Sequence, residues 1–168
     1  MRRPPHGHTI FGKGRGIRRW HAPLLEAASS GENRKRYQVM ATVELTKENF
    51  DRTVSENDFI LIDFWASWCG PCRQFAPVYE KASERHDDLV FAKVDTEAQQ
   101  ELAAAFEIRS IPTLMIVRDN VAVFAQPGAL PETALEDVIG QARGLDMDEV
   151  RKSVAAAEAE AKAEGGGA

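Results

Sequence analysis

The stretch Phe59 to Trp65, F-I-L-I-D-F-W, constrains this chain more than any other. It is an almost unbroken apolar run ending in Ala66-Ser67, the pattern of a strand buried on both faces of a sheet. From Cys72 onward, R-Q-F-A-P-V-Y-E-K-A-S-E-R-H places Phe75, Val78, Tyr79 and Ala82 at helical spacing. A central strand therefore feeds directly into a helix, and the seam between them is W-C-G-P-C, Trp68 to Cys72, which holds the only two cysteines of the 168 residues.

Three uses of such a pair compete. A tetrahedral zinc site wants about four Cys or His ligands. There is no second cysteine pair, His6, His8 and His21 lie in an irregular N-terminal stretch, and only His86 falls in the patterned region, so no metal site is expected. Covalent haem attachment needs His directly after the second cysteine, and that residue is Arg73. As a structural staple the bond is weak, because closing a loop of about four residues gives ~1.9 kcal/mol against ~3 kcal/mol for a fifteen-residue loop. A redox pair suits the position best. The unpaired N–H groups and positive end of the helix favour thiolate over thiol by about 0.3–1 kcal/mol, up to ~2 kcal/mol. Cys69, nearer the turn, is expected to be the more exposed thiol and the nucleophile; Cys72, one turn into the helix, is the resolving thiol.

Asp63 stands inside the buried strand, where an isolated carboxylate is costly and its proton affinity rises. Such a group is a plausible proton acceptor near neutral pH. The other reading is a carboxylate merely satisfied by a cation. Lys93, in the second apolar run L-V-F-A-K-V-D (Leu89 to Asp95), is that cation if the two strands are neighbours. With the dithiol nearby, we expect Asp63, its charge tuned by Lys93, to take the proton of Cys72 through a water.

Along the chain, Val43 to Leu45 reads as a short first strand, and Thr46 as the N-cap of a helix running to about Val54. After the Phe59–Trp65 strand and the Cys72 helix, kinked at Pro77, come a strand over Leu89–Val94 and a helix around Glu97–Phe106. Strands over Thr113–Val117 and Val121–Ala125, joined by Arg118-Asp119-Asn120, form an antiparallel hairpin. A helix starting near Pro131-Glu132-Thr133 closes the domain. Alternating strands and helices predict an α/β layer fold, and ~100 residues suffice for one core.

The motifs D-F-W-A-S-W-C-G-P-C, A-P five residues on, A-K-V-D, I-R-S-I-P-T and P-G-A-L stand in register from about Val43 to Gln141. In that order and spacing they resemble the thioredoxin family. The resemblance implies a four-to-five-stranded mixed sheet with helices on both faces. It carries the family's cis-proline to Pro112, opposite the dithiol. Together with Trp68, Gly70, Pro71, Ile111, Gly128 and Ala129, Pro112 would form a flat, mostly apolar platform for an extended substrate segment pairing with backbone at Ile111. Trp65 is expected to pack beneath the site and Trp68 to meet partners. The chain departs from the family at Glu107, Ser110 and Asn120, where glycines are usual; Asn tolerates a left-handed backbone better than most residues.

The ends differ from the middle. Residues 1–39 carry nine Lys/Arg and two Asp/Glu, net +7, while residues 40–168 carry net −12. The leader is Gly- and Pro-rich without a sustained period and reads as disordered. Three explanations stand: upstream sequence ahead of a true start at Met40, an organellar transit peptide, or a basic tail for anionic partners. The thioredoxin-like domain is expected over 40–144. Residues 145–168 read as a helix capped at Asp146, whose Met147, Val150 and Val154 are able to dock, followed by a solvated Ala/Glu/Lys stretch and a Gly-rich tail.

The expectation is a protein-disulfide reductase that exchanges dithiol for disulfide through Cys69 and Cys72, maintains cell redox balance, and binds no cofactor of its own. Its partners would be disulfide-containing proteins and, as the family implies, a thioredoxin-reductase-type flavoprotein drawing electrons from NADPH. A monomer in the cytoplasm is expected, or in an organelle if the leader is a transit peptide, with no membrane span and no nucleic-acid partner. The alternatives are a disulfide oxidase or isomerase of an oxidising compartment, and a non-catalytic thioredoxin-like binding subunit.

Overall fold

The structure, a computed structural model, describes residues 42–165. The leader over 1–39, Met40, and Gly166 and Gly167 of the tail lie outside the described residues. Five strands form one mixed sheet: β1 (Val43–Glu44), β2 (Phe59–Trp65), β3 (Val90–Asp95), β4 (Thr113–Arg118) and β5 (Val121–Pro127), in the order β1-β3-β2-β4-β5. β3 pairs parallel with both β1 and β2; β4 runs antiparallel to β2 and to β5. β2 is thus central, which is why it is apolar on both faces.

The period-two alternation of β2 divides the molecule into two cores. Leu61 joins Phe91, Leu114 and Ile116 on the face covered by α2 (Gly70–Arg85), α4 (Glu132–Arg143) and α5 (Met147–Gly165). Ile60, Ile62 and Phe64 join Val94, Met115 and Val117 under α1 (Phe50–Glu56) and α3 (Gln100–Ala105). Asp63 shares the parity of Leu61, so it belongs to the α2 face.

Several boundaries differ from the sequence expectation, each for a local reason. α1 starts at Phe50 rather than after Thr46, because the Asn49 side chain turns back: its Oδ1 accepts from the Thr46 N–H at 2.8 Å and its Nδ2 donates to the Glu44 carbonyl at 2.9 Å. α3 starts at Gln100 rather than near Glu97, because Asp95 Oδ1 accepts from the N–H groups of Glu97 and Ala98 and holds a turn there. α2 is continuous through Pro77. Asp119 and Asn120, with φ of 48° and 63°, make a two-residue hairpin turn between β4 and β5. Asp146 caps α5 through Oδ1, as its position before Glu149 suggested.

Candidate active site

The chain enters α2 through Cys69, whose extended backbone (φ −80°, ψ 111°) makes it the residue before the first helical turn, with Pro71 inside that turn. Proline is well placed there, since it removes a donor that the helix start would leave unpaired. Cys69 and Cys72 are joined as a disulfide with Cα atoms 5.2 Å apart. The N–H of Cys72 points at Cys69 Sγ from 3.2 Å. The helix therefore begins on the sulfur, and its first N–H groups are available to a negative charge there. Both cysteines are only 3% exposed, so the greater exposure expected of Cys69 is absent in this oxidised form. Cys69 Sγ sits at the head of the helix, 3.7 Å from the Ile111 carbonyl.

The loop before β4 supplies the opposite wall. Ile111-Pro112 is a cis peptide, Pro112 is buried, and its carbonyl accepts from the Gly128 N–H at 2.8 Å. Gly128 has φ of 103°, a left-handed backbone that favours glycine. Gly128 and Ala129 are exposed beside this wall, Ile111 and Gly70 are half-buried, and Pro71 is exposed. Trp68, 64% exposed, is the one large apolar side chain left in water among the described residues. Its indole N–H donates to Glu97 Oε1 at 2.8 Å, which fixes the ring beside the disulfide. The structure thus brings Trp68, Gly70, Pro71, Ile111, Pro112, Gly128 and Ala129 to one rim.

Beneath the rim, Asp63 is 1% exposed and its buried Oδ1 meets no hydrogen-bond donor among the described residues. Burial pushes its carboxyl up to about 7, against a smaller opposing pull from Lys93. Asp63 and Lys93 are register partners across β2 and β3, as the neighbour expectation required, while the β4 partner of Asp63 is the apolar Leu114. The Lys93 ammonium lies 5.0 Å from the centroid of the Trp65 ring. Trp65 is accordingly half-buried and covers a cation rather than filling the core.

Three polar residues of this region escaped the sequence reading. Glu97, which holds Trp68, sat in a segment read only as helix. Arg73 donates from Nη1 to the Ser67 carbonyl at 3.0 Å and closes the turn ahead of the dithiol. Tyr79 was counted as one apolar position of a helix stripe, and no pattern in the sequence distinguishes its hydroxyl from a phenyl hydrogen. Among the described residues no cluster of His, Cys, Asp or Glu is arranged to hold a metal ion.

Known proteins place this geometry. A sequence model described as thioredoxin matches residues 41–141. A thioredoxin 2 of Streptomyces coelicolor is 76% identical over 123 residues, covering 73% of this chain and 92% of the relative. The thioredoxin of Bacillus subtilis is 39% identical over 103 residues, covering 61% of this chain and 98% of the relative. Among solved structures, a mutant thioredoxin from Halobacterium salinarum superposes with a TM-score of 0.58 at 36% identity, covering 62% of this chain and 93% of that one. The five-stranded mixed sheet, the disulfide at the head of a helix and these relatives agree, and the chain belongs to the thioredoxin family of thiol–disulfide oxidoreductases.

Proposed function

We propose that this chain is a general protein-disulfide reductase in which Cys69 is the nucleophile, Cys72 the resolving thiol and Asp63 the proton acceptor tuned by Lys93. The observation that carries the reading is the position of Cys69 Sγ, at the head of α2 with the Cys72 N–H aimed at it. In the reduced form that N–H and the helix dipole favour a Cys69 thiolate. The thiolate attacks one sulfur of a substrate disulfide; a Cys69–substrate mixed disulfide forms and one substrate thiolate leaves. Cys72 gives its proton to Asp63 through a water and attacks Cys69 Sγ. The Cys69–Cys72 bond forms, the second substrate thiolate departs, and two electrons have passed to the substrate.

Trp68, Gly70, Pro71, Ile111, Pro112, Gly128 and Ala129 form the rim on which a substrate segment lies extended, pairing with backbone at Ile111. Electrons return to the disulfide from a separate thioredoxin-reductase-type flavoprotein using NADPH; the chain holds no cofactor of its own. The working unit is residues 40–144, with 145–168 as an extension, and the site is complete in one copy, which suits a monomer. A reducing dithiol suits the cytoplasm. The net charge of −12 over residues 40–168 repels nucleic acid.

The test is the potential of the Cys69–Cys72 couple, titrated against glutathione buffers. A value near −270 mV is expected, whereas a value between about −180 and −120 mV would make the chain an oxidase or isomerase.

A further inference from the structure

Tyr79 is a buried polar residue of α2 that the dithiol chemistry leaves unused. It is fully buried. Its ring is wedged between Phe75, with centroids 5.6 Å apart, and Phe91, 5.1 Å away and edge-on. Locked in this way, the ring delivers its hydroxyl to the sheet surface, 2.9 Å from the Leu61 carbonyl of β2 and 2.8 Å from the Ala92 carbonyl of β3. One proton serves two acceptors on two strands. Leu61 lies two residues before Asp63 on the same face of β2, and Ala92 lies immediately before Lys93. The hydroxyl therefore ties the strands together one step ahead of the register pair Asp63 and Lys93.

The ends of the layer also correspond. Two residues of strand, about 7 Å, lead from Leu61 to Asp63, and seven residues of helix, about 10 Å, lead from Tyr79 back to Cys72 in the same direction. Asp63 and Cys72 thus lie on the same side of the Tyr79 tie.

We propose that Tyr79 is a positioning residue for Asp63: its hydroxyl, shared between β2 and β3, fixes the strands that carry the buried carboxyl and Lys93, and lends polarity to an otherwise apolar layer. The inference rests on Asp63 being the proton acceptor for Cys72. Across the sheet Asp63 is in register with Lys93 of β3 and with Leu114 of β4, which brings no charge, and on the α2 side its charge acts on the Tyr79 phenol. Burial first, and the Asp63 charge second, raise the Tyr79 phenol well above its ordinary value, so it stays a neutral O–H donor through the working pH range. A polar donor in this layer lowers the cost of a carboxylate there, and its removal raises the proton affinity of Asp63.

The decisive measurement is the titration of the Asp63 carboxyl by carbon-13 NMR in the full chain and in Tyr79→Phe, beside the pH profile of the resolving step. Tyr79→Phe is expected to raise the Asp63 midpoint by about half a unit, roughly threefold in proton affinity, and to carry the pH profile upward with it. An unmoved midpoint with only a lower denaturation midpoint would overturn the proposal and leave Tyr79 as packing. Should the phenylalanine variant not fold, fluorotyrosine at position 79, a stronger donor that keeps the ring, is expected to lower the midpoint; no change there overturns the proposal equally. Asp63→Asn separates the two levels. If it leaves the resolving step at full rate, the proton-acceptor reading fails, while the carboxyl titration still decides whether Tyr79 positions Asp63. If it slows that step, adding Tyr79→Phe to it should produce no further shift in the pH profile.

Discussion

An aspartate buried inside a central strand has to be weighed against what it costs. Its carboxyl rises from 3.8 to about 7 because burial disfavours the charge more than Lys93 restores it. The folded state therefore binds this proton more tightly than the unfolded chain between those two values. As far as Asp63 is concerned, stability is highest below pH 3.8, falls as pH rises through about 7, and is flat above; the full loss is about 4 kcal/mol. Asp63→Asn removes the titration. It is expected to stabilise the oxidised protein at pH 8 far more than at pH 5, measured by denaturant unfolding, and to slow the resolving step tenfold or more, measured by release of a mixed disulfide. A slower step with higher stability separates a functional charge from a structural one; equal rates would leave Asp63 without a role in proton transfer. Asp63, Lys93 and the cysteines were legible in the sequence because each breaks an apolar or helical pattern. Tyr79 obeys the pattern, and Cys69 is covered by the Ile111 loop, which is distant in the sequence, so neither was visible before the strands and helix were placed together.

At the scale of elements, the strands were legible to within a residue or two because the sheet is buried and its apolar runs are nearly continuous. Helix starts at Phe50 and Gln100 were not, because the side chains of Asn49 and Asp95 choose between capping forward and closing a turn, and that choice is made by the neighbouring backbone. The end of α3 was half legible. Glu107 was noted as standing where glycine is usual, and it has φ of 53°. Its N–H donates to the Ala104 carbonyl and the Ile108 N–H to the Ala103 carbonyl, at 3.0 and 2.9 Å, the paired bonds of a Schellman ending. Ile108 packs against the core that contains Leu102, completing that ending with an apolar contact. A residue with a Cβ pays for the left-handed backbone, and glycine does not, although it loses more freedom on folding. Glu107→Gly is therefore expected to stabilise by about 0.5–1 kcal/mol in thermal or denaturant unfolding, with the disulfide potential unchanged. A destabilised variant would mean that the Glu107 side chain contributes more than the backbone gains.

The whole molecule is larger than the segment that resembles the family. The family match ends at Gln141, yet the core does not. Met147, Val150 and Val154, one face of the first two turns of α5, are 7%, 6% and 4% exposed and join Val121, Val123, Ile139 and Ala142 in the core beneath α2. Arg118 at the end of β4 reinforces the junction: Nη1 donates to the carbonyls of Ala142, Arg143 and Leu145, at 2.7, 3.2 and 3.3 Å. Arg151 then reaches back to Asp119 in the hairpin turn at 3.1 Å, an exposed pair of little weight beside the apolar contacts. Beyond Val154 the character changes, and residues 155–163 are all exposed. Their helicity is local, supported by alanine and exposed i,i+3 pairs such as Lys152–Glu149 nearer the start. Two truncations measure the division. Ending the chain at Gly144 removes three buried side chains, each contributing about 1.5–3 kcal/mol before the entropy of ordering α5 is subtracted. A net loss of about 2–5 kcal/mol in denaturant unfolding is expected, with Tyr79 and Asp63 still in place and the disulfide potential unchanged. Ending it at Ala155 is expected to change stability by no more than about 0.5 kcal/mol. Equal stability of both truncations with the full chain would place α5 outside the core. A shift of the potential on shortening to Gly144 would instead couple the extension to the dithiol through the α2 layer.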